Sequence, residues 1–249
     1  MPLDIGGNQV VNTRASQLVN TYPVFDGLQY YLDAGLVSSY PGSGTTWSEF
    51  TGNYPSNSGV LTNGPSFSTS NGGYIAFDGT NDYVDCGSFA GNFISNPALN
   101  SNIISFGCWC YAIGGLYIMS TGAQTSDMGI AFSYQSGTPF YAIKGSVEGL
   151  FYISSPSTNF PTSTWIYWMF VSDGSTLKAY KNGIYLEQGS LVAGSNPDSY
   201  TNLTLGVPNN NTGAYFFNGR IGAVQIYNRA LTATEILQNY QAQRQKYGL

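Results

Sequence analysis

From Leu28 onward the chain alternates apolar and polar positions. Leu28, Tyr30 and Leu32 interleave with Gln29, Tyr31 and Asp33, the period-two pattern of a strand whose two faces differ. Residues 38–73 lose that rhythm. Ser, Gly, Asn, Thr and Pro dominate there, with isolated Trp47, Phe50, Val60-Leu61 and Phe67, which predicts a long loop tacked down by hydrophobic pegs. Strands are predicted at 74–77 and 83–86, joined by the turn Asp78-Gly-Thr-Asn-Asp82. The apolar run 103–113, centred on Cys108-Trp109-Cys110, reads as a central strand buried on both faces. Shorter strands follow at 116–121, 129–135, 140–144 and 150–154. Between 165 and 188, Asp173-Gly174 and Asn182-Gly183 supply the positive φ of type I′ turns and predict a three-stranded meander. Another strand is read at 202–207, and a last hairpin at 214–227 is predicted to turn on Asn218-Gly219.

The ends differ from the middle. Thr232-Ala-Thr-Glu235 is a capping box, in which the threonine hydroxyl accepts from the N3 amide and the glutamate reaches back. Ile236, Leu237, Tyr240 and Tyr247 then recur at roughly helical spacing, and Gly248 stands where a helix stops. Residues 1–25 have no sustained periodicity, with Gly6-Gly7 and Pro23 as breakers, and are read as an extended arm. The expected organisation is therefore an N-terminal arm (1–25) and one all-β domain (26–249) of two antiparallel sheets packed face to face, closed by a single short C-terminal α-helix.

Composition narrows the chemistry. Of 249 residues only 8% are charged, against about 25% in ordinary domains. There is no histidine, which excludes histidine-ligated metals and Ser-His-Asp catalysis. Eight scattered cations and a net charge of −5 argue against a nucleic-acid surface. No apolar run approaches the ~20 residues needed to span a bilayer, so no membrane insertion is expected. The opening Met-Pro-Leu-Asp-Ile-Gly-Gly-Asn has neither a basic stretch nor an apolar core, so synthesis in a cytoplasm without a signal peptide is expected. Cys86, Cys108 and Cys110 fit no disulfide framework and are read as buried thiols. Glu49, Glu148, Glu187 and Glu235 have no acidic neighbour within three residues, unlike the paired carboxylates of a glucanase strand, so no enzyme is expected.

Two binding chemistries stay open. Aromatic rings in or beside loops, Tyr40, Trp47, Tyr54, Tyr200 and Tyr215, either stack on sugar rings or peg the loops to the core. Asp78 and Asp82, with Asp33 and Asp85, either donate oxygens to a structural Ca2+ or serve their own turns. No other cofactor is expected. Arg220, Arg229, Arg244 and Lys246 read as complement to the helix dipole and as surface solvation, with Arg229 placed to lock the helix onto the sheet.

Five stretches, in order, resemble the laminin-G-like, concanavalin A-like jelly roll. They are Gly27-Leu-Gln-Tyr-Tyr-Leu-Asp-Ala34, Ile75-Ala-Phe-Asp-Gly-Thr-Asn-Asp-Tyr-Val84 (similar to F-D-G-x-x-D-Y-V), Ile104-Ser-Phe-Gly-Cys-Trp109, Asp173-Gly-Ser-Thr-Leu-Lys-Ala-Tyr-Lys-Asn-Gly183 and the closing run from Phe217 to Ile236. The chain departs from the family's last strand, where acidic residues are common and Ala223 and Val224 stand instead. The resemblance implies a two-sheet antiparallel jelly-roll sandwich, and some members hold calcium near such loops. The opening octapeptide and Ser39-Tyr-Pro-Gly-Ser-Gly-Thr-Thr-Trp47 further resemble virion proteins of tailed phages of marine bacteria. That likeness implies a structural protein on the virion surface, a head decoration or fibre, with adhesion to cell-surface glycans. Other virion proteins would be its partners through an arm anchored by Leu3, Ile5, Val10 and Val11, and a homo-oligomer is compatible. The alternative is a free lectin-like carbohydrate-binding module, calcium-dependent or not.

Overall fold

The computed structural model describes residues 22–88, 103–115, 117–121, 130–135, 138–144, 150–154, 162–190, 202–208 and 215–249. The strands, in chain order, are β1 (Leu28–Asp33), β2 (Thr46–Trp47), β3 (Gly59–Thr62), β4 (Ser66–Ser68), β5 (Tyr74–Asp78), β6 (Tyr83–Ser88), β7 (Ile103–Gly115) and β8 (Tyr117–Ser120). They continue as β9 (Ile130–Gln135), β10 (Thr138–Lys144), β11 (Leu150–Ser154), β12 (Trp165–Asp173), β13 (Thr176–Lys181), β14 (Ile184–Ser190), β15 (Asn202–Leu205) and β16 (Phe217–Tyr227), before the helix α1 (Ala233–Gln243). One antiparallel sheet runs β14-β13-β12-β7-β16-β5-β4, with β1 also on β16; the other runs β11-β10-β9-β8-β15-β6-β3-β2. This is the jelly-roll sandwich expected from the residues.

Between the sheets lies an aromatic core. Phe106, Trp168, Phe170, Phe77 and Phe217 of the first sheet meet Phe132, Trp47, Val84, Ile118, Leu203 and Leu205 of the second. The Phe132 and Phe170 rings stand 4.8 Å apart and tilted, a favoured aromatic geometry. Cys86, Cys108 and Cys110 are free and buried, as read from their number and spacing. Burial pushes the Cys86 thiol up to about 12, so it behaves as a small hydrophobe rather than a nucleophile.

The first sheet is buried on its other face as well. Tyr31, Trp109, Trp165, Tyr167, Met169 and Tyr227 form a second core beneath Val24, Leu231, Ile236 and Tyr247. This corrects the reading of β1 as a strand with one polar face: from Tyr30 to Asp33 every side chain is buried, because α1 and the short 3-10 turn after it (Arg244–Tyr247) lie over the outer side. It also divides the tryptophans: Trp168 sits between the sheets, while Trp109 and Trp165 sit under the C-terminal segment.

Two local expectations change. The 38–73 loop contains the strands β2, β3 and β4, because its pegs also pair: Thr46 opposes Val60, and Phe67 opposes Ile75. Asn218-Gly219 is not a turn. It lies within β16, paired to β5 on one side and β7 on the other, with a register shift against β7 at that point. Glycine is needed there for close approach, since a Cβ would lie 2.5 Å from the Phe217 ring and from the Tyr111 carbonyl. The Asn-Gly turn of the meander is as expected, with Asn182 at φ 53° and Gly183 at φ 79°. The other turn differs: Asp173 ends β12 without positive φ, Gly174 alone takes it (φ 89°), and the Asp173 carboxylate accepts from the Ser175 and Thr176 amides.

The chain is pinned to the helix just before β1. The Val24 amide donates to Asn239 Oδ1 (2.7 Å), and its carbonyl accepts from the Tyr227 hydroxyl (3.0 Å). Val24 therefore belongs to the folded body, one residue inside the boundary drawn at 25; residues 1–21, with Leu3, Ile5, Val10 and Val11, lie outside the described residues. The helix start is a full capping box on Thr232 and Glu235. Arg229 holds Glu235 bidentately at 2.6 and 3.0 Å and also meets Asp26, so it locks the helix to the sheet as expected.

The Arg229 guanidinium draws the Glu235 carboxyl down to about 2, from an ordinary 4.5. A depressed acid stabilises the fold fully above its unfolded pKa and loses that contribution as pH falls. Wild-type stability should therefore decline between pH 4.5 and about 2 more steeply than that of Glu235→Gln. Equal acid limbs in parallel pH titrations of the unfolding midpoint would show that Glu235 is not coupled to folding.

Candidate functional site

Where β1 ends, the chain turns tightly. Leu36 and Ser39 amides bond back to the Asp33 and Leu36 carbonyls, and the Tyr40 amide donates to Leu36 at 2.7 Å. The turn is fixed from below by Asp33, which is buried. Its carboxylate accepts from the Tyr31 hydroxyl (2.7 Å), the Gly35 amide (2.9 Å) and the Lys246 ammonium (2.5 Å). A second glycine-rich turn, at Gly72-Gly73, presses against it. A Cβ on Gly35 would fall 1.8 Å from the Gly72 carbonyl oxygen, so only glycine permits this approach.

The two turns enclose a hollow of about 290 Å³. Val37, Tyr40, Pro41 and Phe67 make its apolar wall, and Thr69 with the glycine backbones supplies the polar groups. Tyr40 and Phe67 are tilted at 5.0 Å, with the Tyr40 hydroxyl given to the Gly44 carbonyl (2.7 Å). Val37 stands at the mouth, 79% exposed. Among the described residues no acidic side chain lines the space.

Of the four described aromatic candidates, Tyr40 alone lines this hollow, and it is itself buried. Trp47 is wholly inside the inter-sheet core and is a peg, not a platform. Tyr54 is half-buried against the same core. Tyr215 is half-buried and meets Tyr117 edge-on at 6.3 Å. Tyr200 lies outside the described residues. Val37, Pro41 and Thr69 were missed, because nothing in their spacing says that two distant turns meet.

The carboxylates do not gather. Among the described residues no group of three His, Cys, Asp or Glu side chains is placed to hold a metal ion. Asp33 is committed to Lys246. Asp78 closes its own turn by accepting from the Thr80 amide at 2.7 Å, and these backbone N–H groups hold its carboxyl below the usual range. Asp82 accepts from the Asp78 amide (3.1 Å), and burial raises its pKa. Asp85 accepts from the Gly87 amide and from Asn202. The split between Asp78 and Asp82 thus arises inside one turn, where both carboxylates serve backbone amides. Arg220, read as dipole complement and surface solvation, lies on β16 with its guanidinium over two tyrosine rings.

Comparisons with known proteins agree with this architecture. Residues 78–237 match the family model described as the concanavalin A-like lectin/glucanases superfamily. No curated protein sequence matches the chain. Among solved structures, domain 4 of the arabinanase AbnA from Geobacillus stearothermophilus, in complex with arabinotriose, is similar at TM-score 0.63 and 17% identity, covering 86% of this chain and 98% of that one. The binding domain of Paraclostridial Mosquitocidal Protein 1 is similar at TM-score 0.64 and 14% identity, covering 86% of this chain. Trypanosoma rangeli sialidase in complex with sialic acid is similar at TM-score 0.66 and 14% identity, covering 95% of this chain. The chain spans about half of the toxin domain (52%) and about a third of the sialidase (36%).

If Asp33 serves Lys246 and the turn amides, Asp33→Asn should cost about 3 kcal/mol, as expected for breaking a buried ion pair. The loss should be the same with calcium and with chelator in the unfolding assay. A deficit that appears only in calcium would make Asp33 a metal ligand instead.

Proposed function

The chain belongs to the concanavalin A-like lectin/glucanases superfamily, and from that premise we propose that it is a non-catalytic carbohydrate-binding module. Its saccharide contact is the hollow between the two turns. The carrying observation is the make-up of that hollow: an apolar wall of Val37, Tyr40, Pro41 and Phe67 facing Thr69 and backbone polar groups, with no carboxylate. An apolar face lets the C–H side of a sugar ring leave water, and hydroxyls and amides then fix its orientation. Retaining and inverting glycosidases both need two carboxylates across the scissile bond, and the lining offers none. At about 290 Å³ the space lies at the lower end of ligand pockets, ~300–1,000 Å³. It suits a terminal sugar residue rather than a threaded chain. The arabinotriose complex of a domain with this fold supports the reading.

Calorimetric titration of the full chain with neutral oligosaccharides tests it. Val37 is 79% exposed, so Val37→Asp should leave the unfolding midpoint in place. Because it sets a charge at the mouth, affinity should drop roughly tenfold, the equivalent of ~1.4 kcal/mol. Absence of any binding by the wild type, or equal binding by the variant, overturns the proposal.

A second reading places this module on a phage particle, as a head decoration or fibre joined to other virion proteins through the arm. The observation favouring it is the tie at Val24. A pull on the leading chain would be carried into α1 and β16 by two hydrogen bonds rather than by a loop. Deleting residues 1–21 should then leave the unfolding midpoint unchanged while abolishing incorporation into particles. Full incorporation of the shortened chain would remove this reading.

A further inference from the structure

Among the described residues the outer face of the first sheet is only partly covered. The C-terminal segment ends over it with Tyr247, stacked on Trp109 (4.3 Å) and against Trp165 (4.7 Å). Beyond Trp165 the face continues as Tyr111 on β7, Arg220 on β16 and Tyr74 on β5. Trp165 and Tyr111 are register partners, as are Tyr111 and Arg220. Tyr74 and Tyr111 approach Trp165 at 5.7 and 5.8 Å, so the three rings form one bed.

Arg220 lies in that bed. Its guanidinium carbon is 4.4 Å from the Tyr111 ring centre and 4.9 Å from that of Tyr74. Such contacts satisfy the faces of the planar cation but none of its five N–H donors. Among the described residues Lys178 pairs with Asp173, Arg229 with Asp26 and Glu235, and Lys246 with Asp33, whereas Lys181 and Arg244 have no carboxylate partner. Arg220 has no carboxylate partner among the described residues. The acidic side chain next along β5, Asp78, is turned to the amides of Thr80 and Asn81. Trp165 forms the floor of the bed, 5% exposed, with its indole N–H buried.

We infer that this bed is a binding site for a carboxylated saccharide, separate from the hollow and independent of it. The carboxylate receives the fork of Arg220, the bidentate geometry that guanidinium suits best. Because the guanidinium already lies over the Tyr74 and Tyr111 rings, the C–H face of the sugar rests beside it against these half-buried side chains. Uronates and sialates share this chemistry, a carboxylate fixed to a pyranose ring. A neutral sugar would leave the cation unmatched, and an acidic peptide would offer the charge without the ring.

The full chain should be titrated with trigalacturonate and with sialyllactose, each beside its neutral counterpart, galactotriose and lactose. Polyglutamate is the non-saccharide arm. The readout is the indole N–H resonance of Trp165, assigned by its absence in Trp165→Phe. At least one acidic sugar should shift that resonance, and which of them does so identifies the ring preferred. Neither neutral counterpart should shift it. Arg220→Gln should weaken binding at least tenfold, and Arg220→Lys, which keeps charge but not the fork, should give an intermediate loss. Raising the salt should weaken binding severalfold. No shift with either acidic sugar, equal shifts with the neutral ones, an unchanged affinity in folded Arg220→Gln, or a response to polyglutamate alone each overturns the inference. Loss of neutral-sugar binding at the hollow has no bearing on it.

Discussion

The docking of the C-terminal segment on Trp109 is the interaction on which the rest depends. An antiparallel sheet commonly leaves one face to water. Here β1, β7, β12 and β16 carry Tyr31, Trp109, Tyr167 and Tyr227 on the outer side, far too much aromatic surface to leave wet. Tyr247 and Tyr240 stack on Trp109 at 4.3 and 5.7 Å, and the indole N–H donates to Gln243 at 2.7 Å. Truncation of a buried tryptophan typically costs about 3–5 kcal/mol, and here it would also strand Gln243. The capping box and Arg229 start the helix at the right place; the stack decides where it lies.

From that stack a chain of hydrogen bonds leads to the hollow. Gln243 passes a donor to the Tyr31 hydroxyl, Tyr31 donates to Asp33, and Asp33 holds the Gly35 amide at the base of the turn. Lys246 closes the loop from the far end of the same segment. Every member is satisfied, which makes a buried polar network rigid rather than costly. The turn bearing Val37 and Tyr40 is therefore placed by the C-terminus, over 200 residues later in the chain. The pairing of residues so remote is what gives a short surface loop a defined shape.

Features set by neighbouring residues were legible in the sequence. The Asn182-Gly183 turn, the capping box on Thr232, the buried central strand around Trp109 and the three free cysteines all follow from spacing and residue chemistry. Features set by what lands on top were not. Asn218-Gly219 has the composition of a hairpin turn, yet two partner strands claim it, and glycine serves close contact instead. Tyr31 and Asp33 sit at positions that alternation assigns to the polar face, and the helix overrules it. The site suffered most. Whether an aromatic in a loop is a peg or a platform depends on which turn it meets, so Trp47 went inside while Val37 and Thr69 came to the surface of the hollow. Arg220 was assigned with the basic residues near the end of the chain, whereas the strand pairing of β16 sets it over Tyr74 and Tyr111.

The scarcity of charge gives these placements their weight. With only 8% charged residues, the few ion pairs stand at specific junctions: the helix entry, the end of β1, the β12–β13 turn. Most of the remaining polar residues are neutral, so salt screens little of what holds the fold. A lone guanidinium on an aromatic bed is conspicuous against that background. Stacking alone can be supplied by an uncharged side chain, without the cost of desolvating a cation. What an uncharged side chain cannot supply is a fork of donors held at a fixed angle above a flat apolar floor. The extent of the C-terminal cover then becomes a functional boundary: Tyr247 marks where the sheet's outer face stops being core and starts being surface.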